Sequence, residues 1–174
     1  LRQSPQAGKI FVAPGNAGTH LEAGVENVAI DTLDFPALVK FAQQNDIGLT
    51  IVGPEAPLVA GVVDYFANHG LRCFGPSRNA AQLEGSKAFT KDFLARHGVP
   101  TAAYRNFTEI APAVAYVREQ GAPIVIKADG LAAGKGVIIV QTVEEAIATI
   151  EDMLAGNKFG NAGHRVVIDQ FLTG

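Results

Sequence analysis

Apolar residues along the first half of the chain form short runs that alternate with segments of helical periodicity. Each run ends at a turn signal, such as Pro14-Gly15 or Gly53-Pro54. Short apolar runs bounded in this way predict strands. We expect four of them, at residues 9–13, 27–30, 49–52 and 72–74. Strands that alternate with helices indicate a parallel sheet with helices on both of its faces.

The segments between the later strands predict two helices. The first begins after Asp34, a residue type that caps helices, and has Pro36 in its first turn. The second covers residues 56–68 and places Leu58, Val62 and Phe66 on one face. An open parallel sheet binds its ligands beyond the carboxyl ends of the strands, so the loops that follow the strands are candidate site loops.

The order of elements changes in the second half. A predicted helix at residues 86–97, with Ser86 as its cap, is followed by elements in the order β-α-β-β-α-β. This order is typical of a split βαβ arrangement in an α+β domain. The predicted strands lie at residues 102–107, 124–128, 137–140 and 165–169, and the predicted helices lie at 108–120 and from Thr142 onward.

Two domains follow from this change of pattern. We expect a Rossmann-like α/β domain with a parallel sheet at residues 1–85, and an α+β domain at residues 86–174. The capping box formed by Thr142 and Glu145 supports the start of the last helix.

Composition narrows the class of protein. The 174 residues are 48% hydrophobic and 18% charged with a net charge of -3, which excludes an intrinsically disordered chain. No basic cluster indicates a nucleic acid partner, and no apolar stretch is long enough to indicate a membrane partner. Cys73 is the only cysteine, so we expect no intramolecular disulfide and a reducing, cytoplasmic location.

The segment I-V-I-K-A-D-G-L-A-A-G-K-G-V-I-I-V at residues 124–140 is the strongest local signal. Gly130, Gly134 and Gly136 would let backbone N–H groups approach an anion closely, with Lys135 among them. This pattern predicts a phosphate-binding loop, and the alternative is an ordinary flexible hairpin loop. It is not a P-loop, because the spacing differs from G-x4-G-K-[ST] and the loop leads into a strand.

Lys127 stands at the end of an otherwise apolar strand and allows two interpretations. It is either a charge on an edge strand that discourages aggregation or a phosphate ligand. Alone, the edge-strand interpretation is the more frequent one.

The loops after the first-half strands also carry polar residues. Asn16, Thr19, Glu55 and Ser77 could line a polar substrate site, but from these loops alone ordinary turn chemistry is the preferred interpretation. None of these loops contains G-x-G-x-x-G, so nothing supports a dinucleotide site. The four histidines lie far apart and lack metal-binding spacing.

Taken together and in this order, five segments resemble the phosphoribosylamine–glycine ligase (glycinamide ribonucleotide synthetase) family of the ATP-grasp superfamily. The resemblance covers essentially the whole chain. The segments are V-A-P-G-N-A-G-T (12–19), T-I-V-G-P-E-A-P-L (50–58), F-G-P-S (74–77), A-A-Q-L-E-G-S-K-A-F-T-K-D-F (80–93) and I-V-I-K-A-D-G-L-A-A-G-K-G-V (124–137).

The resemblance implies a reaction and its participants. ATP would phosphorylate the carboxylate of glycine, and the amine of 5-phosphoribosylamine would attack the acyl phosphate, giving glycinamide ribonucleotide, ADP and phosphate in purine biosynthesis. The implied cofactors are ATP and Mg²⁺ or Mn²⁺. The implied partners are these small molecules, without nucleic acid or membrane.

The resemblance also implies site residues. Lys87 and Lys127 would hold ATP phosphates, residues 129–136 would close over them as a lid, and residues 169–172 would form the hinge that contacts adenine. The residues implied for ATP are Lys87, Lys127, Asp129, Gly130, Gly134, Lys135, Gly136, Asp169, Gln170, Phe171 and Leu172. The family usually has Glu-Glu where this chain has Asp169-Gln170.

For phosphoribosylamine, the implied residues are Gly15, Asn16, Thr19, Glu55 and Pro57. The resemblance assigns no catalytic side chain, and it places the metal ligands beyond Gly174. Family members begin with a strand and a G-N-G-G-R-E-H turn and continue past F-L-T-G. We therefore expect the chain to be a part of the ligase, without the first strand of the α/β domain and inactive alone.

Three alternatives remain open. The chain could belong to another ATP-grasp carboxylate–amine ligase with a different acceptor, or to a nucleotide-binding module without catalysis. A Rossmann-type oxidoreductase is disfavoured because the glycine fingerprint is missing.

Overall fold

The computed structural model describes residues 1–132, 134–155 and 163–173, which form two compact units. Unit 1 is Leu1–Asn79 and unit 2 is Ala80–Gly174, and each has its own hydrophobic core. Of the helices found in the described ranges, none has the length and apolar character needed to cross a bilayer.

Unit 1 alternates short strands with helices, as the apolar pattern predicted. The strands pair in parallel, β1 with β2 and β3 with β4, which confirms the parallel α/β class. The strands are β1 (Ile10–Val12), β2 (Val25–Asn27), β3 (Thr50–Ile51) and β4 (Cys73–Phe74). The helices are α1 (Ala17–Leu21), α2 (Phe35–Gln44), α3 (Glu55–Ala60) and α4 (Val62–Asn68), with α5 (Arg78–Gly85) at the junction with unit 2.

Buried side chains from α2 and α4 form the centre of unit 1. Val39 and Ala42 from α2 lie with Val62 and Phe66 from α4, and each is at most 5% exposed. The predicted cap of α2 is confirmed, because the Asp34 carboxylate accepts a hydrogen bond from the backbone N–H of Ala37 at 3.1 Å. Of the three residues that the periodicity placed on one helix face, Val62 and Phe66 are therefore in this core, and Leu58 is partly buried against it.

Two local predictions in unit 1 were wrong, and one helix was not predicted. The single helix expected at residues 56–68 is interrupted at Gly61, whose φ of +97° ends α3 and starts α4. The strand expected at 27–30 lies at 25–27, because Val25 is the residue that pairs with Ile10. Helix α1 was not predicted, since its stability comes from a capping box on a five-residue segment without apolar periodicity.

Unit 2 is built on one antiparallel sheet of four strands in the order β5-β8-β6-β7. Helix α7 joins β5 to β6, and helix α8 joins β7 to β8. In each case the two joined strands run parallel with one antiparallel strand between them, so the predicted split βαβ arrangement is confirmed. The elements are α6 (Lys87–Arg96), β5 (Tyr104–Phe107), α7 (Ile110–Gln120), β6 (Ile124–Ala128), β7 (Val137–Val140), α8 (Val143–Leu154) and β8 (Val166–Gln170).

One face of this sheet packs against α7 and α8. Ile126 and Ile168 are cross-strand partners on that face and are fully buried with Ile150 and Met153 of α8. The predicted capping box of α8 is present, with the Thr142 hydroxyl accepting from the backbone N–H of Glu145.

The opposite face of the sheet carries a different set of side chains. Successive residues of a strand point to opposite faces of the sheet, so the residues next to each core residue along a strand lie on this opposite face. We call it the outer face, and from the strand register its members include Asn106, Val125, Lys127, Val137, Ile139, Val167 and Asp169.

We expect Ile150→Ala to lower the free energy of unfolding of unit 2 by about 2 to 5 kcal/mol, because it leaves a cavity in a fully buried position. Urea denaturation measures this change. Glu151→Ala, at an exposed position of the same helix, is the control and should change stability little. Equal effects of the two substitutions would contradict the packing of α8 described here.

Candidate functional site

Lys127 lies on an interior strand of the sheet in unit 2. Strand β6 has β8 on one side and β7 on the other, so the edge-strand interpretation of this lysine is wrong. Its ammonium is 2.6 Å from Oδ2 of Asp169, which is on the neighbouring strand and the same face. The Lys127 side chain is 26% exposed, so it is partly accessible from the outer face.

A second ammonium reaches the same carboxylate oxygen. Nζ of Lys91, on α6, is 3.0 Å from Oδ2 of Asp169, and Lys91 and Asp169 are both buried. The other carboxylate oxygen of Asp169 is buried and has no hydrogen-bond partner in the described part of the chain. A buried carboxylate is stable only when it is compensated, and here two lysines compensate it through one oxygen.

Asp129 connects the start of α6 to the glycine-rich loop. Its carboxylate accepts hydrogen bonds from the Ser86 hydroxyl at 3.0 and 3.2 Å, from the backbone N–H of Ala88 at 3.2 Å and from that of Gly130 at 3.0 Å. The Arg165 guanidinium lies 3.6 Å away. Protein donors therefore surround this buried carboxylate, which fixes the root of the loop against the helix.

Lys87 follows the Ser86 cap and points to the same loop. Its ammonium donates to the carbonyl oxygen of Gly130 at 2.8 Å. Burial lowers the pKa of Lys87; the Asp129 carboxylate raises it, and the positive charge of Lys127 lowers it further. The charge of Lys127 thus disfavours the charge of Lys87, and an anion bound by both would offset that repulsion.

The glycine-rich loop is a tight turn in which glycine is required at particular positions. Gly130 and Gly134 have φ values of +89° and +77°, and a Cβ on Gly136 would lie 2.6 Å from Cβ of Ala132. Lys135, within this turn, is exposed. Ala133, which belongs to the predicted lid, lies outside the described residues.

Apolar side chains share the outer face with the lysines. Val137 and Ile139 of β7 are 45% and 54% exposed, and Val137 is the cross-strand partner of Lys127. Sequence reasoning missed these residues, although their spacing of two positions along a strand was the signal that they face the same way as each other. Cations beside an apolar surface suit a ligand that has both an anionic part and a flat apolar part.

The predicted hinge residues divide between different environments. Asp169 and Gln170 end β8, where Asp169 is buried and Gln170 is on the helix-covered face of the sheet. The backbone N–H of Gln170 donates to the carbonyl of Ala103 at 2.8 Å. Phe171 and Leu172 follow the strand, and Leu172 is 63% exposed.

In unit 1, the turn after β1 uses the polar side chains that were predicted to contact a substrate. The Asn16 side chain accepts from the backbone N–H of Thr19, and the Thr19 hydroxyl lies 3.0 Å from the Asn16 carbonyl and 2.7 Å from Oδ1 of Asn27. Gly15 has a φ of +79°, and a Cβ there would overlap the Asn27 side chain. These polar groups therefore stabilise the turn.

The other two residues predicted on this side differ in exposure. Glu55 is exposed at the first turn of α3, whereas Pro57 is buried in the same helix. An exposed carboxylate beside a helix N-terminus interacts favourably with the helix dipole whether or not a ligand is present.

Comparisons with known families match the whole chain. Residues 1–84 match the model of the phosphoribosylglycinamide synthetase N domain, and residues 85–174 match the model of the phosphoribosylglycinamide synthetase ATP-grasp (A) domain. Phosphoribosylamine–glycine ligase of Salmonella typhimurium is 70% identical over 99% of the chain, and that of Escherichia coli is 69% identical over the same share. The chain spans 40% of the length of these two relatives.

Solved structures agree with this match. The crystal structure of phosphoribosylamine–glycine ligase from Thermotoga maritima superposes with a TM-score of 0.74 at 30% identity, covering 95% of this chain and 38% of that one. The biotin carboxylase domain of Hydrogenobacter thermophilus 2-oxoglutarate carboxylase, solved with magnesium and ADP, gives a TM-score of 0.68 at 21% identity over 85% of this chain and 34% of that one. The second likeness shows the fold alone.

We expect Asp129→Ala to destabilise unit 2 by about 2 kcal/mol, because several donors around a buried carboxylate lose their acceptor. Hydrogen–deuterium exchange should show faster exchange at the N–H groups of Ala88 and Gly130. Glu119→Ala removes an exposed carboxylate from α7 and is the matched control. Unchanged exchange at both N–H groups would show that Asp129 does not hold the loop.

Proposed function

The chain belongs to the phosphoribosylglycinamide synthetase family, and from this membership and the geometry of unit 2 we propose that the protein joins glycine to 5-phosphoribosylamine at the expense of ATP. The γ-phosphate of ATP passes to the glycine carboxylate, which releases ADP and forms glycyl phosphate. The amine of 5-phosphoribosylamine then attacks the acyl carbon, and phosphate leaves with the bonding pair. The product is glycinamide ribonucleotide, formed in the cytoplasm.

The observation that carries the proposal is the contact of the Lys87 ammonium with the glycine-rich loop at Gly130, together with the partly exposed ammonium of Lys127 on the strand that leads into that loop. Two ammonium groups at the start of a glycine-rich loop form a site suited to a polyanion, and the positive charge of Lys127 contributes to the lowered pKa of Lys87 after burial. Val137 and Ile139 add an apolar surface on the same face as Lys127. Together they fit the phosphates and the base of ATP.

Each site residue then has a proposed role. Lys87 and Lys127 bind ATP phosphates, and residues 129–136 close over them. Residues 169–172 form the hinge that contacts adenine, through backbone groups and the exposed side chain of Leu172. Asp129 acts by holding the loop to α6, since protein donors already surround its carboxylate.

For unit 1 we propose that the loops with Gly15, Asn16, Thr19, Glu55 and Pro57 contribute to the phosphoribosylamine site. The polar side chains of Asn16 and Thr19 hold the turn after β1 in shape, so backbone groups of that turn would supply its contacts. Acyl transfer of this kind depends on charge neutralisation and positioning more than on a protein nucleophile.

A divalent cation, Mg²⁺ or Mn²⁺, belongs to the proposed reaction as the companion of ATP. Among residues 1–132, 134–155 and 163–173, no three His, Cys, Asp or Glu residues are grouped so as to hold a metal ion. The two acidic side chains nearest the proposed phosphate site, Asp129 and Asp169, are both bound to protein donors. No contact from these residues to the cation is therefore part of the proposal.

The proposed reaction is tested with the complete polypeptide that the gene encodes. ADP release should require both glycine and 5-phosphoribosylamine generated in the assay. Release with another carboxylate in place of glycine would favour a different ATP-grasp ligase. Nucleotide binding without ADP release under any of these conditions would favour a module without catalysis.

In the same polypeptide, Lys127→Met should reduce kcat/KM for ATP by about 10- to 100-fold, which corresponds to about 1 to 3 kcal/mol, because a charge-assisted contact to phosphate is lost. Steady-state kinetics at saturating glycine measure it. Lys40→Met removes an exposed lysine from α2 and serves as the control. A kcat/KM equal to that of the unsubstituted enzyme would remove Lys127 from the phosphate site.

A further inference from the structure

Lys91 is a buried cation to which the proposed reaction gives no role. It lies on α6 one turn after Lys87, and it is only 8% exposed. Lysine is seldom buried to this extent unless its charge is paired with an opposite charge. Its nearest charged neighbour is the Asp169 carboxylate, which also binds Lys127.

The two lysines that share Asp169 differ in how many of their donors are used. Nζ of Lys91 donates hydrogen bonds to Oγ1 of Thr101 at 2.8 Å and to the carbonyl of Ala102 at 3.1 Å, and it forms an ion pair with Oδ2 of Asp169 at 3.0 Å. For Lys127, the described residues offer one acceptor, the same Oδ2. Lys91 is therefore held by three protein groups, whereas Lys127 contacts one and has donors left for a ligand.

The charges of this cluster do not cancel. Lys91 and Lys127 contribute two positive charges and Asp169 one negative charge, so one positive charge remains in a largely desolvated place. Since Lys91 is held by two hydrogen bonds and the ion pair to Asp169 and is nearly excluded from solvent, the charge available to a ligand is that of Lys127, whose side chain is 26% exposed. The cluster thus presents its excess charge at Lys127.

We propose that Lys91 is a positioning residue, which compensates the buried Asp169 carboxylate so that Lys127 keeps its charge and its spare N–H donors for a phosphate group. This inference rests on the proposed function. Without Lys91, Asp169 and Lys127 would form a neutral pair. Lys127 could not then turn to a phosphate without leaving a buried carboxylate uncompensated, which is strongly unfavourable.

A purely structural role for Lys91 makes a different prediction. In that case Lys91 would only fasten α6 to the end of β8 and to Thr101 and Ala102, and its loss would act through stability. Removing the Asp169 charge as well would then lower the stability further and would not restore ATP binding. In the positioning role, the second change frees Lys127 and restores binding.

The test measures the Kd of ATP by isothermal titration calorimetry on the complete polypeptide, with far-ultraviolet circular dichroism as a check of folding. Lys91→Met should raise the Kd by about tenfold or more, whereas Lys91→Arg, which keeps the charge, should raise it less. The double variant Lys91→Met/Asp169→Asn should recover most of the lost affinity. Arg96→Met removes an exposed positive charge from the same helix and should leave the Kd unchanged.

Two results would overturn the inference: a Kd for Lys91→Met equal to that of the unsubstituted protein, or a double variant that binds as weakly as Lys91→Met. If Lys91→Met does not fold, Lys91→Gln takes its place, because it also removes the charge but keeps a polar group near Thr101 and Ala102, and a Kd equal to that of the unsubstituted protein refutes the role. If Lys127→Met binds ATP normally, the phosphate site itself is wrong. That outcome rejects the proposed role of Lys127 as a phosphate ligand. The expected loss of affinity in Lys127→Met together with an unchanged Kd in Lys91→Met rejects only the positioning role of Lys91.

Discussion

The compensation of two buried carboxylates determines how unit 2 presents its lysines. Asp129 and Asp169 are each less than 5% exposed, and neither could be buried as an anion without donors close by. The donors for both come partly from α6, through Ser86, Ala88 and Lys91. Helix α6 is therefore fixed at its start to the root of the glycine-rich loop and one turn later to the end of β8.

The placement of the cations follows from these two attachments. Lys87 lies between the two attachment points of α6, and its ammonium reaches the loop that Asp129 holds. Lys127 reaches Asp169 from the neighbouring strand. Lys91 and Lys127 would repel each other in isolation. They are kept together because Asp169, on the strand next to Lys127, supplies a negative charge to both. The proposed phosphate site thus depends on how the buried carboxylates are compensated.

The sequence predicted those parts of the structure that depend on local chemistry. The Ser86 and Asp34 caps, the Thr142–Glu145 capping box and the β-α-β-β-α-β order are all short-range patterns, and all are present. Gly61 was misjudged because a glycine inside a helical pattern is compatible with either a continuous or a broken helix. Lys127 stayed ambiguous because only strand order shows that β6 is interior, and Lys91 was missed because its acceptor, Asp169, is far along the chain.

The exposed apolar residues of β7 have a consequence for handling the protein. Among the described strands, β7 has one neighbour, β6, and so lies at the edge of the sheet, with Val137 and Ile139 exposed. A short run of β-branched residues at an open sheet edge is a template for pairing with another chain. The apolar surface proposed for the nucleotide base is thus also a place where another chain can pair, and a charge added there to improve solubility changes the apolar character of the outer face.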